Sequence, residues 1–174
     1  GTVGGAAARL LIGDRDILAS RSGVDLDLKY IVDLDFSHAR SLQLNEKLFS
    51  TSIDTVLEDP DVTIVVELIG GTTVARAMTE KVLRSGKHVV TANKALLAHH
   101  GAELIGIARE SGVSIAFEAS CGGGIPVVRA LYDGLIANRI DAFYGIVNGT
   151  CNFILTSMIR NGLSYEDALR EAQE

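Results

Sequence analysis

Short runs rich in β-branched residues, at 28–34, 62–68, 88–92 and 113–118, alternate with helix-like segments, and this alternation constrains the fold more than any other feature. Strands that alternate with helices build βαβ units around a parallel sheet. The helical patterns cover residues 3–20, 53–58, 73–84 and 94–110, with a break expected near Gly101. Residues 63–69 are apolar on both faces except at Glu67, the pattern of a central strand deep in a sheet. Glu67 is expected to turn to a hydrogen-bond partner at the strand end, because a lone buried carboxylate is costly.

The expected architecture is therefore α/β, a Rossmann-like doubly wound parallel sheet over residues 1–119, followed over residues 120–174 by the beginning of a further, mixed α+β domain. Gly1-Thr2-Val3-Gly4 enters a helix with no strand before it, and the final helix is still running at Glu174. The expectation is a portion of a larger protein, with the first strand upstream. In the dinucleotide fingerprint G-x-G-x-x-G, Gly1 and Gly4 would be the second and third glycines, serving close approach to a pyrophosphate and close helix packing. Asp33 ends a strand about one βα unit later, where a carboxylate accepts from an adenosine ribose. Lys94 closes the run HVVTANK and opens a helix, so it faces the crevice outside the strand ends where open α/β sheets bind ligands.

Composition narrows the partners. A chain of 174 residues with 47% hydrophobic content can bury a sizeable core. Net charge −6, with no basic cluster, argues against nucleic acid and anionic membranes and for a small-molecule substrate. No apolar run approaches the roughly 20 residues that span a bilayer, and a cytoplasmic location is expected. Cys121 and Cys151 fit neither a metal-ligand spacing nor a disulfide framework. His99 and His100, adjacent on a helix, diverge by about 100° and do not share a face.

Beyond Glu118 a glycine-rich loop leads through Pro126 into a helix over 127–138, then a strand over 140–147 and helices over 151–160 and 165–173. A capping box at Ser164–Asp167 starts the last helix, and Tyr144 and Phe153 read as core aromatics.

The blocks GTVG, VVELIGG, HVVTANKALLA, FEASCGGGIP, GIVNGTCNFILT and EDALREAQE occur in one order, and in these the chain resembles homoserine dehydrogenase over essentially its whole length. It departs from the family pattern at Cys121-Gly122-Gly123-Gly124, where a Val-Ala-Gly-Gly sequence is usual, which is harmless if the loop acts through its backbone. The resemblance implies NAD(P)-dependent interconversion of L-homoserine and L-aspartate 4-semialdehyde in threonine, methionine and isoleucine biosynthesis, by an enzyme that is a homodimer when intact. It implies that Gly1, Thr2, Val3, Gly4 and Gly70 contact the cofactor, with Lys94 beside the nicotinamide ribose and the reacting carbon. It further implies a monovalent cation, sodium, on carbonyls near Glu118, Cys121, Gly123 and Ile125, and substrate beside Gly149 and Thr150. The family's acidic substrate ligand and second catalytic lysine belong just after the EAQ block, so the resemblance implies that residues 1–174 alone are too short to be a complete catalyst. Asp33 together with Leu34, where a phosphate-reading arginine would favour NADP, favours NAD.

Two other readings use the same residues. Cys121 could be the nucleophile of an acylating semialdehyde dehydrogenase, which requires a histidine base close in space. A nucleotide-binding sensor or interaction module without catalysis would need the fold alone.

Overall fold

The alternation runs through Gly1–Phe117, the first of two units into which the chain divides in a computed structural model that describes residues 1–146 and 148–173. In chain order its elements are α1 (Thr2–Gly13), α2 (Arg15–Ser22), β1 (Ile31–Val32), α3 (Ser37–Ser41), β2 (Phe49–Ser50), α4 (Asp54–Glu58), β3 (Ile64–Glu67), α5 (Thr73–Arg84), β4 (His88–Thr91), α6 (Lys94–Glu110) and β5 (Ile115–Ala116). β1 pairs with β2, and β3, β4 and β5 form a sheet in that order, every pairing parallel. This is the expected Rossmann-like α/β architecture, in which helices carry the chain from each strand to the next.

Buried positions of α5 are Ala75, Thr79, Val82 and Leu83, spaced to share one helical face. With Val89 of β4 and with Leu96, Leu104, Ile107 and Ala108 of α6 they make the core. The expected break near Gly101 is absent: Gly101 is buried inside an unbroken α6. A mid-helix glycine costs about 1 kcal/mol relative to alanine, whereas each fully buried leucine contributes about 1.5–3 kcal/mol, so packing decides. The helix expected over 3–20 breaks instead at Asp14 (φ −109°, ψ 19°) into α1 and α2. β3 is the edge of its sheet rather than a central strand, and Ile64 and Val66 are each 45% exposed on the face away from the core.

At the opposite edge of the sheet from the strand carboxyl ends, the Asp59 carboxylate accepts from Lys29 Nζ at 2.7 Å, the Tyr30 hydroxyl at 2.8 Å and the Asp61 amide at 2.9 Å. Lys87, which is buried, donates to the carbonyls of Asp59 and Val62 at 2.7 and 2.9 Å. These bonds tie the entry of β1 to the turn before β3. Lys29 first, then Tyr30, draws the Asp59 carboxyl down to about 2. Its folded value lies below its unfolded one, so its stabilisation is present above pH of about 4 and is lost as pH falls through about 2. The urea midpoint of wild type is expected to exceed that of Asp59→Asn at pH 7, with the gap closing towards pH of about 2; a gap unchanged across that range contradicts the assignment.

The second unit begins at Glu118. It holds a turn at Glu118–Ser120, α7 (Val127–Arg129) running on as a π-turn over Ala130–Gly134, α8 (Gly149–Asn161) and α9 (Tyr165–Gln173). α8 ends at Gly162 in the left-handed region (φ 68°), and α9 packs on it. Ser164 Oγ accepts from the Asp167 amide at 3.1 Å and donates to its carboxylate at 2.8 Å, the expected cap. Other expectations fail here. The helix expected over 127–138 stops at the π-turn, and residues 140–146 form no strand, Val147 lying outside the described residues. A β-rich run becomes a strand only when a neighbour takes its backbone hydrogen bonds, and among the described residues none does. Tyr144 and Phe153 are not core: they are 91% and 44% exposed. Among the described residues no helix is long and apolar enough to cross a membrane.

Candidate active site

In the first unit the candidate residues gather at the carboxyl ends of β1, β3 and β4, the side on which open parallel sheets take ligands. Gly1 caps α1, and the amides of Thr2, Val3 and Gly4 occupy its first turn, where the helix offers them no acceptor. An anion is favoured there by the free amides and the helix dipole together. Asp33 follows β1 directly, and its Oδ2 lies 3.6 Å from the Gly1 nitrogen. Its Oδ1 accepts from the amides of Leu34 and Asp35 at 2.7 and 3.3 Å, so the carboxylate is both turn cap and neighbour of the glycine entry. Leu34 is 89% exposed. Arg40, the nearest arginine in sequence, is engaged by Glu46 at 3.3 Å. Hydrogen bonds from Ser37 hold the Asp35 carboxyl below its ordinary range.

Close packing falls at Gly5 rather than at Gly4, where the fingerprint reading put it. A Cβ on Gly5 would lie 2.6 Å from Leu42 Cδ1 and 3.0 Å from His38 Nε2, whereas on Gly4 it would meet only Leu68 Cδ1 at 4.0 Å. The double glycine Gly4-Gly5 was the available signal.

The ends of β3 and β4 are joined by side chains that pair in register, Glu67 beside Thr91. Glu67 is buried and accepts from the Thr91 hydroxyl at 2.5 Å and from the amides of Ile69 and Gly70 at 2.9 and 3.3 Å. The Glu67 partner foreseen at the strand end is thus Thr91, itself unforeseen. Thr91 Oγ1 in turn accepts from the Asn93 amide at 3.0 Å. Asn93 donates to the Gly71 carbonyl at 2.7 Å and caps α6 by accepting from the Leu96 amide at 3.0 Å. Gly70 and Gly71 take φ of 81° and 69°, which bends the chain back past the strand end. Lys94 is exposed at the first position of α6, and among the described residues no carboxylate comes within ion-pair distance of it. An exposed ammonium near the strand ends can meet a ligand's negative charge or exchange a proton with it.

In the second unit, taken by itself, Glu118 clamps the glycine-rich loop. Its carboxylate accepts from the amides of Val128 and Arg129 at 3.0 and 2.8 Å. That commits the side chain to the start of α7, leaving carbonyl oxygens as the loop's donors to a cation. Gly122 and Gly124 take φ of 57° and 77°. The carbonyl of Gly122 accepts from Ile125 at 2.7 Å and that of Ile125 accepts from Val127 at 2.8 Å, each using one of two lone pairs. Such hard oxygens suit a monovalent cation. Cys121 is half-buried and Cys151 exposed. Among the described residues no group of His, Cys, Asp and Glu is arranged to hold a metal. Gly149 and Thr150 occupy the exposed first turn of α8, whose cap is Asn148, accepting from the Cys151 amide at 2.9 Å.

Known proteins resemble the chain along this same division. Residues 1–118 match the model for the homoserine dehydrogenase NAD-binding domain, and residues 126–174 match the model for homoserine dehydrogenase. Homoserine dehydrogenase of Bacillus subtilis is 43% identical over 174 residues, covering 100% of this chain and 40% of that protein. The Pseudomonas aeruginosa homoserine dehydrogenase is 44% identical, covering 99% and 39%. Among solved structures, a homoserine dehydrogenase of Thiobacillus denitrificans superposes with a TM-score of 0.84 at 41% identity, covering 99% of this chain and 40% of that one. A hyperthermophilic archaeal homoserine dehydrogenase solved with NADPH gives 0.69 at 27% identity, covering 95% and 56%. The chain thus spans about two fifths of the length of the curated relatives it matches.

Proposed function

The chain belongs to the homoserine dehydrogenase family, and from that premise we propose that the protein oxidises L-homoserine to L-aspartate 4-semialdehyde, and reverses the reaction, with a nicotinamide dinucleotide. The observation that carries the reading is that Asp33, close to the Gly1 entry of α1, follows β1, while Lys94 opens the helix that follows β4, both on the carboxyl side of their strands. A site that only bound nucleotide would need the first and not the second. The family likewise does not favour an acylating thiol at Cys121.

When bound, the cofactor supplies the hydride acceptor. The amides of Gly1, Thr2, Val3 and Gly4 receive its pyrophosphate, Asp33 its adenosine ribose, and Gly70 lines the path to Lys94. Lys94 stands beside the alcohol oxygen, handles the hydroxyl proton, and balances the negative charge that its loss leaves on oxygen, a charge discharged into the carbonyl bond as hydride leaves carbon. The amides at Gly149 and Thr150 hold the amino-acid end of the substrate. Carbonyls of Glu118, Cys121, Gly123 and Ile125 hold a monovalent cation, sodium being the expected one, which fixes the loop by charge. The protein works in the cytoplasm as a homodimer, in the synthesis of threonine, methionine and isoleucine. The exposed Ile136, Tyr144, Ile146 and Ile159, each at least 74% accessible, suit the partner-facing surface.

Asp33 and Leu34 favour NAD over NADP, since a 2′-phosphate would meet a carboxylate, and Arg40, the nearest arginine in sequence, is engaged by Glu46. With homoserine, kcat/KM is expected to be at least about tenfold higher for NAD, and Asp33→Ser should erase most of that ratio, because like charges set close together cost a kcal/mol or more. Equal kcat/KM for the two cofactors in wild type contradicts the preference, and no turnover with either contradicts the activity.

A further inference from the structure

We propose that Glu67, Thr91 and Asn93 form a latch that sets the nicotinamide end of the crevice, making Glu67 a positioning residue for hydride transfer; the inference rests on the dinucleotide reading above. The bonds run from one strand end to the other and back. Glu67 grips the 69–71 turn by its amides, Thr91 joins Glu67 to Asn93, and Asn93 grips the same turn by the Gly71 carbonyl. The turn is therefore held from both of its backbone faces. Asn93 also fixes the first turn of α6 through the Leu96 amide, and Lys94 is the next residue. The turn after β3 and the lysine after β4 thereby share one frame.

A purely architectural role accounts poorly for this choice of residues. Glu67 is 6% exposed and Thr91 1% exposed. Apolar residues of similar volume would close two adjacent strand ends with no desolvation penalty, and a buried charged group rarely adds net stability over such a pair. What a satisfied polar network adds is a single arrangement of the groups it joins. Here those groups are the turn after β3 and the first turn of α6, which begins at Lys94, while Gly1 and Asp33 belong to α1 and the end of β1 and take no bond from the latch.

The latch should therefore matter to the nicotinamide half of a dinucleotide and not to the adenosine half. Thr91→Val keeps the side-chain shape but removes the donor to Glu67 and the acceptor of the Asn93 amide. Glu67→Gln sets an amide nitrogen or a weaker acceptor against the Thr91 hydroxyl. Thr91→Ser keeps the hydroxyl and serves as the rescue. With the protein at its natural length, dissociation constants would be measured for NADH and NADPH by their fluorescence. Those of ADP-ribose and its 2′-phosphate, which lack the nicotinamide, would be measured by calorimetry.

Both Thr91→Val and Glu67→Gln are expected to weaken binding of the preferred reduced dinucleotide by about tenfold or more, the size of one lost hydrogen bond to a charged group. The matching ADP-ribose should stay within about twofold, and Thr91→Ser should bind as wild type does. Equal loss for both ligands would mean general loosening and overturn the latch, as would unchanged dinucleotide binding in a wild type that binds. A wild type that binds neither NADH nor NADPH would overturn the dinucleotide reading itself, and the latch with it.

Discussion

Lys94→Ala is expected to lower kcat for homoserine oxidation by about two to four orders of magnitude, the usual worth of a positioned proton-transfer group. Cofactor affinity should change little by comparison. Lys94 is exposed at the first position of α6, where no helical hydrogen bond depends on its side chain, and alanine is the best helix former. The variant should therefore fold, and any loss should be chemical. Lys94→Arg separates charge from proton transfer, because a guanidinium keeps the positive charge but does not release a proton near neutral pH. Recovery of less than about a tenth of wild-type kcat is expected from it, by the same reasoning. If the dissociation constant of the cofactor rose as much as kcat fell, Lys94 would be a binding residue only.

Leu104→Ala should destabilise the first unit by about 2–5 kcal/mol. The side chain is fully buried in the cluster of α5, α6 and β4, beside Leu83, Val89 and Leu96. A loss of that size is a large part of the roughly 5–15 kcal/mol that holds a typical domain together. Leu34→Ala, at a site 89% exposed, should stay within about 0.5 kcal/mol. Urea titration of the two variants reads both values, and a similar cost at both positions would contradict the core assignment.

The helices that build this core are the parts a reader of the sequence finds most easily. α5 and α6 occupy the residues their apolar spacing marks out, because each buries a continuous face against the sheet. α3 and β2 leave no such mark. They are five and two residues long, and what anchors them is the stacking of Phe36 on Phe49 at 4.5 Å, a contact between residues far apart in sequence. The run 140–146 shows the reverse case, since its β-branched and aromatic residues satisfy a pattern for which the described residues provide no pairing strand.

At the candidate site the same division holds. Asp33 and Lys94 are legible because each follows closely on a strand, and strand ends follow from apolar runs. Glu67 is legible as a carboxylate in need of a donor, but naming Thr91 as that donor requires the register of β3 against β4. Aligning IVVE with HVVT would have suggested it. The closeness of Gly5 to Leu42 and His38 depends on how α1 lies against α3, which no local pattern encodes. Nor does the glycine-rich loop announce that the carboxylate before it will cap the helix after it, as Glu118 does for α7.

Hydride transfer itself is tested most directly with homoserine carrying deuterium on its alcohol carbon, offered with NAD and with NADP to the protein at its natural length. The expected product is a reduced cofactor that carries one deuterium on its nicotinamide ring, formed in step with the semialdehyde and far more slowly by Lys94→Ala. Cofactor that binds to the folded protein without being reduced, or that is reduced without taking up deuterium, would contradict it.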